Sequence, residues 1–235
     1  MTLALSAEKP FAQGGNRLCF VHPQDPGRCI KVRRPDFSLQ DLRRKKGFPK
    51  TLLPLSRFDD NREEYEVIRG LARHPGDAAF ELISRCFGFE QTDLGPGLVL
   101  ELVRDADGSI SQTLKAQIWN EGYTDDCRAA VERFSKRWRE LQIPSRDLLL
   151  HNILVQRGED GNIRRLVVID GLGSPNIIPF HWLPSAQRQA KVERKLANLR
   201  QRIEQTLAKK ARGEKPGSHG MATARLRPTH QESQG

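Results

Sequence analysis

Ser145-Arg146-Asp147-Leu148-Leu149-Leu150-His151-Asn152, answered further on by Ile169-Asp170-Gly171-Leu172-Gly173, is the stretch that decides the fold. Asp147 and Asn152 stand five apart, and Asp170 ends an apolar run with a glycine directly behind it. The chain between them reads as a hairpin of apolar strands, which would return Asp170 to the side of Asp147 and Asn152. Three such oxygen groups suit phosphoryl transfer. One carboxylate stands near an attacking hydroxyl, while a carboxylate and an amide oxygen hold Mg²⁺ against the phosphates. Each fragment alone also reads as turn chemistry, because Asp, Asn and Asp-Gly are common turn formers. The upstream half of the chain bears on that choice.

Gly14-Gly15-Asn16-Arg17 precedes the apolar run Leu18-Cys19-Phe20-Val21, a candidate strand. His22-Pro23-Gln24-Asp25-Pro26-Gly27 is dense in turn formers and predicts a hairpin there, with Arg28-Cys29-Ile30-Lys31-Val32 as the return strand. Lys31 falls on the face opposite Ile30 and Val32. It is either an edge lysine pointing to water or a phosphate ligand, and its place after a Gly-Gly turn favours the ligand. A lysine in that role needs an anion to hold it extended. Residues 59–71 read as a helix with an acidic first turn, capped by Asp59, Asp60 or Asn61. Glu64 lies four residues before Ile68 and seven before Leu71, so it shares their inward face and is the expected partner of Lys31. Glu63 is the fallback. Residues 97–103 read as a buried strand entering a polar turn at 104–108. Cys127, Val131, Phe134, Trp138 and Leu141 recur at helical spacing and predict a core helix over 124–141.

Taken in order, these pieces resemble the protein-kinase-like fold over residues 11–173. The run 14–26, Cys29-Ile30-Lys31-Val32, Leu150-His151-Asn152-Ile153-Leu154 and Val168-Ile169-Asp170-Gly171-Leu172-Gly173 are similar to the PhoP regulatory network proteins, a small bacterial family that is itself kinase-like. The resemblance implies an α+β, two-lobed fold. A small β-rich lobe spans about 11–100 and a reduced, mainly helical C-terminal lobe about 104–208, with ATP and Mg²⁺ between them. It further implies that Gly14 and Gly15 cover the phosphates and that Lys31 pairs with the phosphates and Glu64. Cys29 and Leu154 would enclose the adenine, and the Glu101–Val103 hinge would bond its edge. Asp147 takes the base position, and Asn152 and Asp170 hold the metal. Ser145 departs from the pattern where a His usually opens the catalytic loop, Leu172 stands in the Phe position, and no Ala-Pro-Glu motif follows.

Three functions stay open at this point. The first is an ATP/Mg²⁺-dependent phosphotransferase acting on an unknown acceptor, in bacterial stress or Mg²⁺-response regulation. The second is a nucleotide-binding pseudokinase that works through a regulatory protein partner. The third is a basic protein that binds nucleic acid or an anionic surface. The chain of 235 residues carries a net charge of +10, much of it in Arg33-Arg34, Arg43-Arg44-Lys45-Lys46 and the last 50 residues. Residues 187–210 read as an amphipathic helix with its apolar stripe at 192, 196, 199, 203 and 207. The expected organisation is one domain, 1–208, with a basic disordered tail, 209–235. Four cysteines without C-x-x-C spacing fit thiols kept reduced in a cytoplasm. No apolar run approaches the roughly 20 residues of a membrane span.

Overall fold

Alternating apolar residues in the first half of the chain build an antiparallel sheet whose central strand carries Lys31. The computed structural model describes residues 2–48, 51, 54–173 and 180–221. Its first sheet contains β1 (Ala12–Gln13), β2 (Arg17–His22), β3 (Asp25–Arg33), β4 (Cys86–Thr92) and β5 (Gly95–Glu101), ordered β1-β2-β3-β5-β4. Every neighbouring pair is antiparallel. β3 is central, facing β2 at Cys19↔Lys31 and β5 at Lys31↔Leu98. Strand alternation then divides the side chains. Ile30 and Val32 pack with Phe20, Val99, Leu3 and Leu5 on one face. Cys29, Leu98 and Leu100 join the main core on the other.

That main core is shared by the rest of the chain. The helices are α1 (Leu39–Lys46), α2 (Asp60–Arg73), α3 (Leu114–Asn120), α4 (Asp125–Leu141) and α5 (Ser185–Ala211). A second antiparallel sheet joins β6 (Gln112–Thr113), β7 (Ile153–Arg157) and β8 (Ile163–Val168). The fold is α+β, and both sheets drain into one cluster that runs from Cys29 through Trp138 and Val168 to Ile203. α4 is capped by the Thr124 side chain and buries Cys127, Val131, Phe134 and Trp138, the stripe expected from spacing. The end of β8 is tied to the segment leading into β4, where Val168 N–H donates to Leu82 O at 2.8 Å and Ser84 N–H donates to Val168 O at 3.2 Å. That junction delivers Ile169-Asp170 beneath the face that carries Lys31.

Two boundaries differ from the expectation. The β2–β3 turn is confined to Pro23 and Gln24, and Pro26 and Gly27 already belong to β3. A strand tolerates both because Pro26 needs no ladder partner for a missing N–H, while its carbonyl accepts from Arg104 Nε at 2.8 Å. The expected tail, 209–235, begins as helix. α5 continues to Ala211, and residues up to Met221 lie back on α3, where Lys115 Nζ donates to Gly217 O at 2.6 Å and to His219 O at 2.7 Å. Residues 222–235 of that tail lie outside the described residues. Among the described residues no helix is long and apolar enough to cross a membrane.

Gly97 on β5 shows how closely the sheet is packed against itself. A Cβ built there would stand 2.3 Å from Ile30 Cγ2 and 3.2 Å from Val32 Cγ1. Gly97→Val should therefore destabilise the fold by about 1–3 kcal/mol, the range for overpacking a core, read as a lowered midpoint in thermal unfolding. An unchanged midpoint would show that β3 and β5 spread freely at this point.

Candidate active site

Lys31 reaches from the central strand into the space between the sheet and α2. Its Nζ donates to Glu64 Oε1 at 2.8 Å and to Ile169 O at 2.9 Å. Both side chains of the ion pair are less than a tenth exposed. Asp59 caps α2 by accepting from Asn61 N and Arg62 N, and the helix then turns Asn61, Glu64, Ile68 and Leu71 inward. Asn61 Nδ2 fastens the helix to the strand by donating to Lys31 O at 2.8 Å. Burial disfavours the ammonium more than any single neighbour favours it, but Glu64 and Asp170 together tip the balance, and the Lys31 pKa lies above its ordinary value. Glu63, the fallback partner, pairs instead with Arg146 on the surface.

Arg17 adds a second cation to the same carboxylate. Its guanidinium donates to Glu64 Oε2, to Asn61 Oδ1 at 3.3 Å, and through the other arm to Asp170 Oδ2 at 2.7 Å. Its side chain is 13% exposed. Burial works against the charge here too, and Glu64 and Asp170 overcome it. Asp170 is half-exposed, and its other oxygen accepts the Gly171 N–H at 2.7 Å. Burial raises its pKa while Arg17 and Lys31 lower it, and the balance leaves the carboxyl below its ordinary value.

The two halves of the opening motif lie side by side. Ile169 N–H donates to Asn152 O at 2.9 Å, Arg146 N–H to Gly171 O at 2.8 Å and Gly173 N–H to Pro144 O at 3.0 Å. Gly171 has φ +80°, and a Cβ there would stand 2.7 Å from Asp147 O and 3.5 Å from Asn152 Nδ2. A glycine is required at that point by conformation and by room. The same contacts bring the Asp147 backbone and the Asn152 side chain to Gly171, the residue after Asp170. Asp147 Oδ2 accepts from Arg202 of α5 at 2.7 Å, while its Oδ1 is buried and has no hydrogen-bond partner among the described residues.

The remaining expected positions divide. Val103 and Leu154 share a small buried cluster with Val167 and Ile169. Cys29 is buried in the main core, its thiol pushed up to about 12 by burial and then by Cys19. The Cys29 Sγ lies 3.8 Å from Glu101 O. The Glu101 carboxylate is committed to Arg165 and to the Arg85 N–H, which leaves its backbone as the part able to serve a ligand. Gly14 and Gly15 form the β1–β2 turn, and a Cβ at Gly15 would meet no atom within 4 Å.

Arg17 and Arg202 were not singled out from the sequence. For Arg17 a signal existed: strand alternation puts it on the face of Cys19, which stands opposite Lys31. Arg202 sits beside the α5 stripe, and nothing local announces a partner 55 residues away.

The donor chemistry fits a divalent cation held with phosphates. Asp170 and Asn152 offer a carboxylate and an amide oxygen, the hard donors that Mg²⁺ takes when phosphate and water complete its shell. Among the described residues there is no group of three or more His, Cys, Asp and Glu of the kind that cages a metal by itself.

Comparison with known proteins agrees on one family. The chain is 28% identical over 183 residues to the YrbL protein of Escherichia coli (strain K12), covering 76% of this chain and 77% of that one. The YrbL protein of Shigella flexneri matches to the same extent. The family model described as PhoP regulatory network protein YrbL matches residues 3–204. That span takes in every residue of the cleft, from Arg17 to Arg202, and the chain belongs to the PhoP regulatory network protein YrbL family.

Proposed function

We propose that the protein is a kinase-like ATP/Mg²⁺-dependent phosphotransferase with a regulatory role, its small lobe meeting the other where Lys31, held by Glu64, reaches Ile169. The observation that carries this reading is the buried Lys31–Glu64 pair aimed at Ile169-Asp170, directly beside Asp147 and Asn152. A strand ammonium held by a helix carboxylate is the arrangement that orients phosphates in protein kinases. Lys31 would bind the inner phosphates, and Asp170 with Asn152 would hold Mg²⁺. Mg²⁺ supplies charge neutralisation on the phosphate oxygens. Asp147 would align an acceptor hydroxyl whose oxygen attacks the terminal phosphorus as the bond to the ADP oxygen breaks. The hydroxyl proton passes to Asp147. Positioning and electrostatics then carry most of the acceleration.

A second reading, a nucleotide-binding pseudokinase acting through a protein partner, has its own observation. Arg202 of α5 occupies one Asp147 oxygen at 2.7 Å, so the base position is engaged. Both readings place nucleotide in the same cleft, and binding is the test they share. ATP with Mg²⁺ at 100 times its dissociation constant should stabilise the fold by about 2.7 kcal/mol. In Asp170→Asn the increment due to Mg²⁺ should vanish while the fold persists. A thermal shift absent at millimolar ATP with Mg²⁺, or an undiminished Mg²⁺ increment in the variant, would remove nucleotide from this site.

A further inference from the structure

We infer that Arg17 is a phosphate ligand of the cleft, and that without nucleotide its guanidinium stands in for the divalent cation at Asp170. The inference rests on the nucleotide-binding reading and adds a residue and an order of events to it.

Charge and geometry carry the argument. Lys31 and Arg17 face Glu64 and Asp170, two cations against two carboxylates, and the cluster is neutral as it stands. A divalent cation at Asp170 would share one carboxylate with a guanidinium whose Nη2 lies 2.7 Å from that oxygen. Like charges at such a distance repel strongly in a half-buried cleft. Metal alone should therefore bind poorly. Metal that arrives with a polyphosphate meets no such opposition, because the phosphate oxygens offer the displaced guanidinium a new anion. The planar fork of an arginine fits two phosphate oxygens better than an ammonium does.

The chain allows that exchange. Arg17 is the first residue of β2, immediately after the Gly14-Gly15-Asn16 turn, so its side chain starts where the strand joins the loop beside the cleft. Open space around Gly15 leaves room for a ligand to approach the loop backbone. Glu64 keeps Lys31 as its partner when Arg17 departs, so the exchange leaves no buried carboxylate alone.

Two titrations of the full-length protein test the inference: Mn²⁺ alone, followed by electron paramagnetic resonance, and ATP with Mg²⁺, followed by calorimetry. In Arg17→Gln, Mn²⁺ alone should bind about ten-fold tighter or more, and ATP with Mg²⁺ about ten-fold weaker or more, as befits lost charge-assisted hydrogen bonds. Arg17→Lys keeps the charge and loses the fork. It should fold like the parent, hold Mn²⁺ off like the parent, and still lose ATP affinity, which guards against a folding defect in the first variant. Unchanged Mn²⁺ affinity in Arg17→Gln, or parental ATP affinity in Arg17→Lys, would overturn the inference. A parent that binds no ATP at all sinks the functional reading itself, and does so before any variant is made.

Discussion

Glu64→Ala should lower the stability of the fold by about 3–5 kcal/mol, the range for removing one partner of a buried ion pair. For a chain of this size that is a fall of about 6–20 °C in Tm. The size comes from asymmetry in the cluster. Glu64 is 7% exposed and answers two cations, Lys31 at 8% and Arg17 at 13%. Its removal leaves the positive charges of Lys31 and Arg17 without their shared partner between the sheet and α2, and Asp170, half-exposed, is left to answer both. Lys31→Met should cost less, because Glu64 then keeps Arg17. Glu64→Gln should fall between, since an amide oxygen still accepts a hydrogen bond but carries no charge. Thermal unfolding followed by circular dichroism ranks the three. Lys31→Met as the worst of them, or Glu64→Ala melting within about 2 °C of the parent, less than the shift from 1 kcal/mol, would show that Glu64 is not the electrostatic centre of the cluster.

The same cluster has a pH signature. The Lys31 pKa is raised in the folded state, so its contribution is full below the unfolded value near 10.4 and is lost as pH rises through the folded one. Asp170 is the mirror case. Its folded pKa is lowered, so its contribution is present above about 3.9 and is lost as pH falls through the folded value. Between those limits the two residues together leave stability level.

What was legible in the sequence follows from which interactions are local. The α2 face that carries Glu64 could be read because helical spacing ties it to Ile68 and Leu71. The α4 stripe and the β7–β8 return could be read for the same reason. The β2–β3 turn is narrower than its composition suggests because Pro26 and Gly27, which look like turn residues, have backbone groups met by Arg104 and Leu102 from outside the hairpin. Those partners lie about 75 residues on, and no window of sequence contains both. The closeness of the 145–152 and 169–173 segments was legible as spacing, and the need for glycine at 171 became physical only with the Asp147 carbonyl beside it. The Arg202 contact with Asp147 was invisible. An arginine on the rim of a basic amphipathic helix looks solvated, and only the docking of α5 onto the 145–152 loop gives it a partner.

That contact shapes the result expected of Asp147→Asn, which should separate enzyme from pseudokinase. In the kinase-like reading Asp147 would align the acceptor hydroxyl, and Lys31, Arg17 and Asp170 would handle the phosphate end. ATP affinity should therefore stay within a few-fold of the parent. If the protein turns over, phosphoryl transfer or slow ATP hydrolysis should fall by about 10²–10⁴-fold, the range for a positioned acid–base group. Arg202 makes a second comparison informative. Arg202→Met frees the Asp147 carboxylate while keeping an unbranched apolar stem on α5. If α5 merely holds Asp147 off, this variant should gain activity, and if Arg202 orients Asp147 for the acceptor, it should lose activity. The Asp147→Asn and Arg202→Met effects share one contact and should not add, so the double variant should behave like Asp147→Asn alone. Lys31→Met is the control for a contaminating ATPase, whose activity would survive every change in this cleft. Turnover that disappears in Lys31→Met but persists undiminished in Asp147→Asn would mean that the nucleotide site is real and that Asp147 is not its base. A parent without turnover, but with ATP and Mg²⁺ bound, would leave Asp147 as an anchor for α5, holding the helix to the 145–152 loop for a partner to read.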